Sequence, residues 1–252
     1  MRLRESLAEA VLVPLWRLRN LATAAQIGTR VLMYHAIGTR IPDDVRGRYT
    51  LAPERFAAQM EVLARSGLNV GKVGAPDAEV AITFDDGYRD NLMFALPILE
   101  RLGYPFTIFV TSGFAQSACS LYLGANELRR LASHRLATIG AHGKTHGHLT
   151  ELNDLELRSE LVGAKSWLEE VTGVQVRSLS YPHGAVDARV RAAVADAGYT
   201  LACTSEFGGN EPHRDSLTLR RIDVWNTDDE GTFESKLNGD WDWMRYFTRC
   251  GL

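Results

Sequence analysis

The chain has 252 residues, of which 45% are hydrophobic and 23% are charged, a balance typical of globular proteins. Its 28 basic and 31 acidic residues give a net charge of −3 at pH 7, so no basic excess points to nucleic acid as a partner. Cys119, Cys203 and Cys250 are far apart and form no CxxC motif, which argues against a disulfide framework or a cysteine metal site.

Residues 1–28 predict an amphipathic helix. Its apolar run, residues 10–15, is too short for the core of a secretory signal, and no apolar stretch reaches the 18 or so residues of a spanning helix. Such a helix either packs on the rest of the protein or on a second copy of it, or lies on a membrane surface. We therefore expect a cytoplasmic protein, and contact with the inner membrane face and homodimer formation both stay open.

From residue 29 to 252 the sequence predicts one domain, in which strands alternate with helices. Short apolar runs predict strands over residues 30–37, 79–86, 106–112, 136–142, 176–184, 200–206 and 216–225. Helical spacing of apolar residues predicts helices over 52–67, 90–103, 125–133, 152–173 and 187–199. Repeated alternation of this kind indicates parallel strands joined by crossovers. It favours an α/β barrel over an open doubly wound sheet, which stays the alternative.

Polar and ionisable residues follow several of these predicted strands. They are His35, Asp85, Asp86, His142, Tyr181 and His183. Because the carboxyl ends of parallel strands meet at one rim in either architecture, we expect these side chains to share one site.

Two of these segments predict a metal site. Asp85 and Asp86 are adjacent carboxylates that repel each other, and a divalent cation would offset that repulsion. His142 and His146 are four residues apart, so a helical turn after the strand would point both imidazoles to one side. Two histidines and one carboxylate leave coordination positions open for water and substrate, as in catalytic sites. The other carboxylate is then free to take a proton from the bound water.

Three motifs in order carry a family resemblance: TFDDGY at 83–88, HGKTH at 142–146 and SYPHG at 180–184. Together they resemble the polysaccharide deacetylase family, also called the NodB-homology domain or carbohydrate esterase family 4. The resemblance covers residues 30–225. It implies a distorted (β/α)7 barrel that removes N-acetyl groups from amino sugars with a divalent metal, zinc ahead of cobalt, manganese or nickel.

The resemblance assigns roles to the first two motifs. Asp85 becomes the general base, and Asp86, His142 and His146 become the metal ligands. The family usually has serine or threonine directly after the first histidine, whereas this chain has Gly143. Since a hydroxyl that orients the ligands is missing, we expect a modest loss of metal affinity.

The third motif departs from the usual family pattern. Ser180 stands where the family has arginine, and His183 stands where it has tyrosine. In members with a YPxG motif, a later LPRI segment supplies the arginine. The matching LRRI segment at 219–222 makes Arg221 the candidate that positions Asp85. The alternative for Arg221 is a solvent-facing charge at a strand end. By analogy the backbone N–H of His183, after Pro182, donates to the oxyanion.

The leaving amine needs a general acid. The family commonly supplies it from a late Leu-x-His motif, but no histidine follows residue 225. The early VLMYHAI segment ends in His35 and resembles the arrangement in biofilm poly-N-acetylglucosamine deacetylases, where the strand order is circularly permuted. The resemblance therefore makes His35 the general acid, and the alternative is a histidine hydrogen-bonded within the barrel rim.

The combined expectation is a metal-dependent N-deacetylase that acts on an N-acetylglucosamine-containing glycan. The substrate would be a bacterial exopolysaccharide, as in biofilm or holdfast synthesis, or its lipid-linked precursor. The alternatives are a deacetylase or deformylase of a lipid-linked sugar, a hydrolase of small amides, and a glycan-binding barrel without turnover. Sugar rings are expected to stack on Tyr88, Tyr181 and Trp225; Trp241 and Trp243 are further candidates unless the tail covers the barrel floor.

Overall fold

The strands form a closed parallel barrel in the computed structural model, which describes residues 2–23, 28–41 and 44–248. In chain order they are β1 (Arg30–Tyr34), β2 (Ala36–Ile37), β3 (Thr50–Leu51), β4 (Val70–Gly71), β5 (Val80–Phe84), β6 (Phe106–Val110), β7 (Ala137–Ala141), β8 (Ser178–Ser180), β9 (Leu201–Phe207) and β10 (Leu219–Asp223). Pairing runs in the order β1-β10-β9-β8-β7-β6-β5, and β1 also pairs with β5. The predicted (β/α)7 barrel is therefore confirmed, and the open sheet is excluded.

Helices surround the barrel. They are α1 (Arg2–Thr23), α2 (Pro53–Ser66), α3 (Leu96–Leu102), α4 (Ser112–Gln116), α5 (Ala125–Ala132), α6 (Asp154–Thr172), α7 (Ala188–Asp196), α8 (Glu230–Leu237) and α9 (Arg245–Thr248). The longest internal helix, α6, begins at an Asn153 side chain that accepts from two backbone N–H groups, and it ends at the left-handed Gly173. These caps fix where the helix begins after β7, near the carboxyl ends of the strands, and where it ends before the amino end of β8.

Several barrel strands are largely apolar because helices and the barrel interior cover both of their faces. Every residue of β1, β5 and β6 is buried, as expected for parallel strands in an α/β fold. A continuous core links Leu32, Ile82 and Ile108 of these strands with the inner sides of α2 and α6. The core holds the strand ends rigidly, and the active-site loops start from those ends.

Short elements that the sequence analysis did not predict complete the fold. β2 pairs with β3 in a separate two-stranded sheet, so the predicted strand over 30–37 is interrupted at His35. β4 pairs with the start of β5. Elements of two residues carry no periodicity that a sequence pattern could reveal.

The two ends of the described chain lie against each other. Asn20 of α1 donates to the Asn238 carbonyl at 3.5 Å, and the Trp16 and Tyr246 rings are 6.1 Å apart. Within the described ranges, no helix combines the length and apolarity needed to cross a bilayer. Cys119 and Cys203 are free thiols, and Cys250 lies outside the described residues.

Candidate active site

Three residues of the predicted site have left-handed backbone conformations. The φ angles are 70° at Asp86, 65° at His146 and 57° at His183. In the described part of the chain, Ala118 is the only other residue besides glycine with a positive φ. Such conformations are disfavoured and persist where the surrounding structure imposes them, which is common at functional sites.

The carboxylate of Asp86 and the imidazoles of His142 and His146 converge. Asp86 Oδ1 lies 3.2 Å from His146 Nε2 and 3.5 Å from His142 Nε2. One donor atom from each of the three residues lies within 4.8 Å of the others. His142 Nδ1 is 2.8 Å from the Ser180 carbonyl, which holds the ring so that Nε2 faces Asp86. Held in this way, the three side chains offer two nitrogens and one oxygen to a single point.

The convergence arises differently from the sequence expectation. The segment after β7 is an irregular turn rather than a helix, so the helical turn that the spacing argument assumed for His142 and His146 is not formed. The left-handed conformation of His146 turns its side chain back toward His142, and the two ring centroids are 4.9 Å apart. The four-residue spacing thus indicated the correct pair of histidines, but a left-handed residue and not a helical turn brings their rings together.

These residues fit a divalent cation. Among the described residues, Asp86 Oδ1 has no hydrogen-bond partner although it is buried. A buried carboxylate oxygen without a donor is costly, and a cation would compensate it. Two imidazole nitrogens and a carboxylate oxygen are typical ligands of zinc and related divalent metals.

The protonation states agree with this fit. Burial and the neighbouring charge of Asp85 raise the pKa of Asp86 to about 7. Burial lowers the pKa of His146 to about 3 and also lowers the pKa of His142. Both histidines are thus neutral at pH 7, which is the form that binds metals. A nearby cation would favour the ionised form of Asp86 and so lower its raised pKa.

Asp85 forms a buried two-point ion pair with Arg221. The distances are 2.7 Å from Nη1 to Oδ1 and 2.7 Å from Nη2 to Oδ2. Only 1% of Arg221 is exposed, so the alternative of a solvent-facing charge does not hold. Burial opposes ionisation of Asp85, but the positive charge and the hydrogen bonds of Arg221 outweigh it and hold the pKa of Asp85 well below its ordinary value.

Ser180 joins this pair. Arg221 Nη2 donates to Ser180 Oγ at 2.8 Å, and Ser180 Oγ donates to Asp85 Oδ2 at 3.1 Å. The Nε atom of Arg221 donates to the Thr204 carbonyl at 2.9 Å. The arginine reaches Asp85 from β10, and the small serine on β8 leaves room for it.

His35 lies where β1 ends, beside the strand that carries Asp85. Its ring centroid is 4.4 Å from that of Tyr49, and its carbonyl accepts from Asn91 Nδ2 at 2.8 Å. Its Nδ1 is buried and has no hydrogen-bond partner within the described ranges. This nitrogen therefore does not form the hydrogen bond within the barrel rim that the alternative role of His35 requires. Burial lowers the pKa of His35 to about 4, partly opposed by Asp85.

Glu160 on α6 supports the loop between the two histidines, and the sequence analysis missed it. Its Oε2 accepts from the backbone N–H groups of Lys144 at 2.6 Å and Thr145 at 3.0 Å. Its Oε1 accepts from the Thr145 hydroxyl at 2.7 Å. Gly143 has a φ of 70°, and a Cβ there would lie 3.0 Å from Glu160 Oε2. An acidic residue on the buried side of a helix was the available signal.

His183 braces the same loop from the third motif. Its Nε2 lies 3.0 Å from the His146 carbonyl, and its ring stacks on His148 with 4.1 Å between centroids. The role of its backbone N–H as an oxyanion donor stays a prediction.

The predicted sugar-stacking role of two tyrosines needs correction. Tyr181 is fully buried, and its hydroxyl donates to the Leu217 carbonyl at 2.9 Å. Tyr88 is 3% exposed and its hydroxyl is hydrogen-bonded to Asp86. Neither ring offers a face to a sugar. Tyr88 instead holds one of the candidate metal ligands.

The tryptophans need the same correction. The amino group of Lys236 lies 4.0 Å from the Trp225 ring centroid, the guanidinium of Arg48 lies 4.9 Å from it, and the indole N–H donates to Asp223. Cations already cover this ring. Trp241 and Trp243 are 6% and 7% exposed and belong to the hydrophobic core, in agreement with the alternative that the tail covers the barrel.

Comparison with known proteins decides the family. The model of the polysaccharide deacetylase family matches residues 72–202, which is more than half of the chain. This chain is a polysaccharide deacetylase. It belongs to the NodB-homology family, carbohydrate esterase family 4, whose members are hydrolases of N-acetyl amide bonds. The expected family and enzyme class are therefore confirmed.

Individual relatives support the same assignment. YxkH of Bacillus subtilis (strain 168), named as a polysaccharide deacetylase, is 27% identical over 206 residues, which cover 77% of this chain and 70% of YxkH. The structure of BC0361, a polysaccharide deacetylase from Bacillus cereus, is 25% identical with a TM-score of 0.72, covering 83% of this chain and 68% of that one. The deacetylase PplD of Streptococcus pyogenes, solved with acetate, shares the fold with a TM-score of 0.75 at 19% identity, covering 84% and 99%.

Proposed function

We propose that this deacetylase is metal-dependent and removes acetyl groups from N-acetylhexosamine residues of a bacterial exopolysaccharide or of its lipid-linked precursor. The observation that carries the metal dependence is the buried Asp86 Oδ1, which has no hydrogen-bond partner among the described residues and lies 3.5 Å from His142 Nε2 and 3.2 Å from His146 Nε2. The family membership carries the choice of an N-acetylated glycan. Zinc suits the donor set best, and a cytoplasmic location remains part of the proposal.

A divalent cation held by Asp86, His142 and His146 supplies polarisation of the acetamide carbonyl and a lower pKa for a water molecule when it is bound. Asp85 accepts the proton of the attacking water. Its low pKa keeps it ionised across the ordinary pH range, and its ion pair with Arg221 fixes the orientation of its oxygens. Asp85 Oδ2 lies 3.8 Å from His142 Nε2, so the base is adjacent to the proposed ligands.

His35 donates the proton that the leaving amine requires. Its pKa of about 4 makes it neutral at pH 7 in the free protein. As negative charge develops on the substrate oxygen, the proton affinity of this imidazole rises. His35 then takes up a proton from solvent, passes it to the leaving nitrogen as the carbon–nitrogen bond breaks, and returns to its neutral form. The His183 N–H stabilises the same oxygen. The products are acetate and a free amine on the sugar.

The decisive experiment joins metal analysis with acetate release. Purified protein is stripped with a chelator, reloaded with zinc, cobalt, manganese or nickel, and assayed on N-acetylglucosamine oligomers of increasing length. We expect activity to be lost on stripping and restored by a divalent cation. His142→Ala is expected to lose both the bound metal and the activity, whereas Asp85→Asn keeps the metal and loses turnover.

The alternatives give different results in the same assay. A glycan-binding barrel would bind the oligomers without releasing acetate under any metal. Full activity after complete removal of the metal would refute metal dependence. Acetate release from a small amide or a lipid-linked monosaccharide, but not from oligomers, would refute the polymeric substrate and retain the chemistry.

A further inference from the structure

Helix α1 has two apolar sides, of which the barrel uses one. The inner side packs against the hydrophobic core through Leu12, Val13 and Trp16. On the outer side, Val11, Leu15 and Leu18 are 54%, 57% and 63% exposed. These three residues follow the i, i+4, i+7 spacing of a single helix face. An apolar stripe therefore points away from the protein.

Arginines border this stripe. Arg17 and Arg19 precede and follow Leu18, so at about 100° per residue they lie on its two sides. The Arg17 side chain is 68% exposed, with Asp240 at 4.0 Å. Between residues 9 and 20 every exposed position is apolar or basic, whereas the acidic Glu9 is partly buried. Over residues 9–20 the exposed side of α1 thus combines apolar side chains with the positive charges of Arg17 and Arg19.

We propose that this outer face of α1, formed by Val11, Leu15, Leu18, Arg17 and Arg19, docks on the surface of an anionic lipid bilayer. An apolar stripe bordered by arginines matches the acyl boundary and the phosphate layer of such a surface. A second copy of the chain fits less well. Symmetric pairing would bring the arginines of the two copies close together, and between residues 9 and 20 no acidic side chain is exposed to offset their charge.

The docking face lies near the amino end of the barrel. Arg30, the first residue of β1, pairs with Asp242 at 2.6 Å, and its guanidinium contacts Gly239. The neighbouring Asn238 carbonyl accepts from Asn20 of α1. The active site is built on the opposite, carboxyl ends of the strands. A membrane bound by α1 therefore leaves the entrance of the site uncovered.

Co-sedimentation of the full-length protein with phospholipid vesicles tests this proposal. Vesicles contain either neutral phospholipid alone or about 30% anionic phospholipid. We expect binding to the anionic vesicles that weakens as salt is raised. Leu15→Gln/Leu18→Gln should reduce the partition coefficient about tenfold or more, since the apolar contribution is lost. The matched control is Leu155→Gln on α6, a leucine that is 82% exposed, and it should bind like the wild type.

Three outcomes would overturn the proposal. They are equal binding to neutral vesicles, unchanged binding of the double variant, and a solution dimer that the double variant dissociates, which would assign the face to a second copy. Thermal unfolding checks that the double variant is folded. Acetate release from soluble oligomers should be unchanged in it, so the docking proposal can fail while the proposed function stands.

Discussion

Replacement of Arg221 by alanine tests the buried ion pair at the centre of the site. The substitution leaves Asp85, 2% exposed, without its two charge-assisted hydrogen bonds of 2.7 Å. It also removes the donor to the Thr204 carbonyl. The remaining carboxylate would be a buried charge that, among the described residues, accepts a side-chain hydrogen bond from Ser180 Oγ alone.

The expected loss is large. Removing one partner of a buried ion pair typically costs about 3–5 kcal/mol of unfolding free energy, which is a substantial part of the roughly 5–15 kcal/mol that stabilises a typical domain. In the wild type, the depressed pKa of Asp85 contributes stability that is present above its ordinary pKa and lost only as the pH falls through the folded value. In Arg221→Ala, the arginine no longer offsets the effect of burial on Asp85, so the pKa of Asp85 rises. Protonation of Asp85 at moderately acidic pH then removes the buried charge and restores part of the lost stability.

Urea denaturation at about pH 8 and about pH 5 measures both effects. We expect the difference between wild type and Arg221→Ala to be larger at the higher pH. Asp85→Asn/Arg221→Ala should be more stable at that pH than Arg221→Ala alone, because the unpaired charge is gone. Arg101→Ala, which breaks an exposed pair with Glu61, is the control and should change little. A difference below about 1 kcal/mol for Arg221→Ala, or a double variant no more stable than the single one, would refute the reasoning.

Three further predictions concern the metal and the acid. Asp86 must lose a proton to bind a cation, and its pKa is about 7. Zinc affinity measured by calorimetry should therefore fall about tenfold for each pH unit below 7. A constant affinity down to about pH 5 would contradict this. Glu160→Gln should weaken zinc binding about tenfold or more, because Glu160 holds the loop between His142 and His146. Glu170 is exposed on the same helix, and Glu170→Gln should have no effect. His35→Gln should lower kcat by about 10²–10⁴ and leave zinc affinity unchanged; equal kcat in the two proteins would exclude the general-acid role.

The sequence predicted the barrel because its signals are local and repeated. Strands such as β1, β5 and β6 are short apolar runs, and parallel pairing follows from the helices between the strands. The same logic located the site, since polar residues after parallel strands must meet at one rim. Arg221 could be assigned to Asp85 only by resemblance, because 136 positions separate them and only the barrel brings them together.

What the sequence could not predict depends on burial and on backbone conformation. Tyr181 and Trp225 appeared suited to sugar stacking, but an aromatic residue near a motif packs as readily into the core as into a cleft, and sequence position does not distinguish the two. The turn that brings His146 toward His142 uses a left-handed residue that no periodicity reveals. Glu160 acts on this turn from a separate helix, and only the folded chain places the two together.

The position of β1 has a consequence for how the enzyme matures during synthesis. This first strand pairs with β5 and also with β10, the last strand of the barrel. His35, Asp85 and Arg221 follow or belong to these three strands, so the ring of parallel strands must close before the candidate acid, the candidate base and the arginine that pairs with it meet. Loop closure over most of the chain is slow compared with local folding. A chain in which β10 has not yet joined the barrel therefore lacks the Arg221 contact of Asp85, and the candidate site is complete only when the last strand is in place.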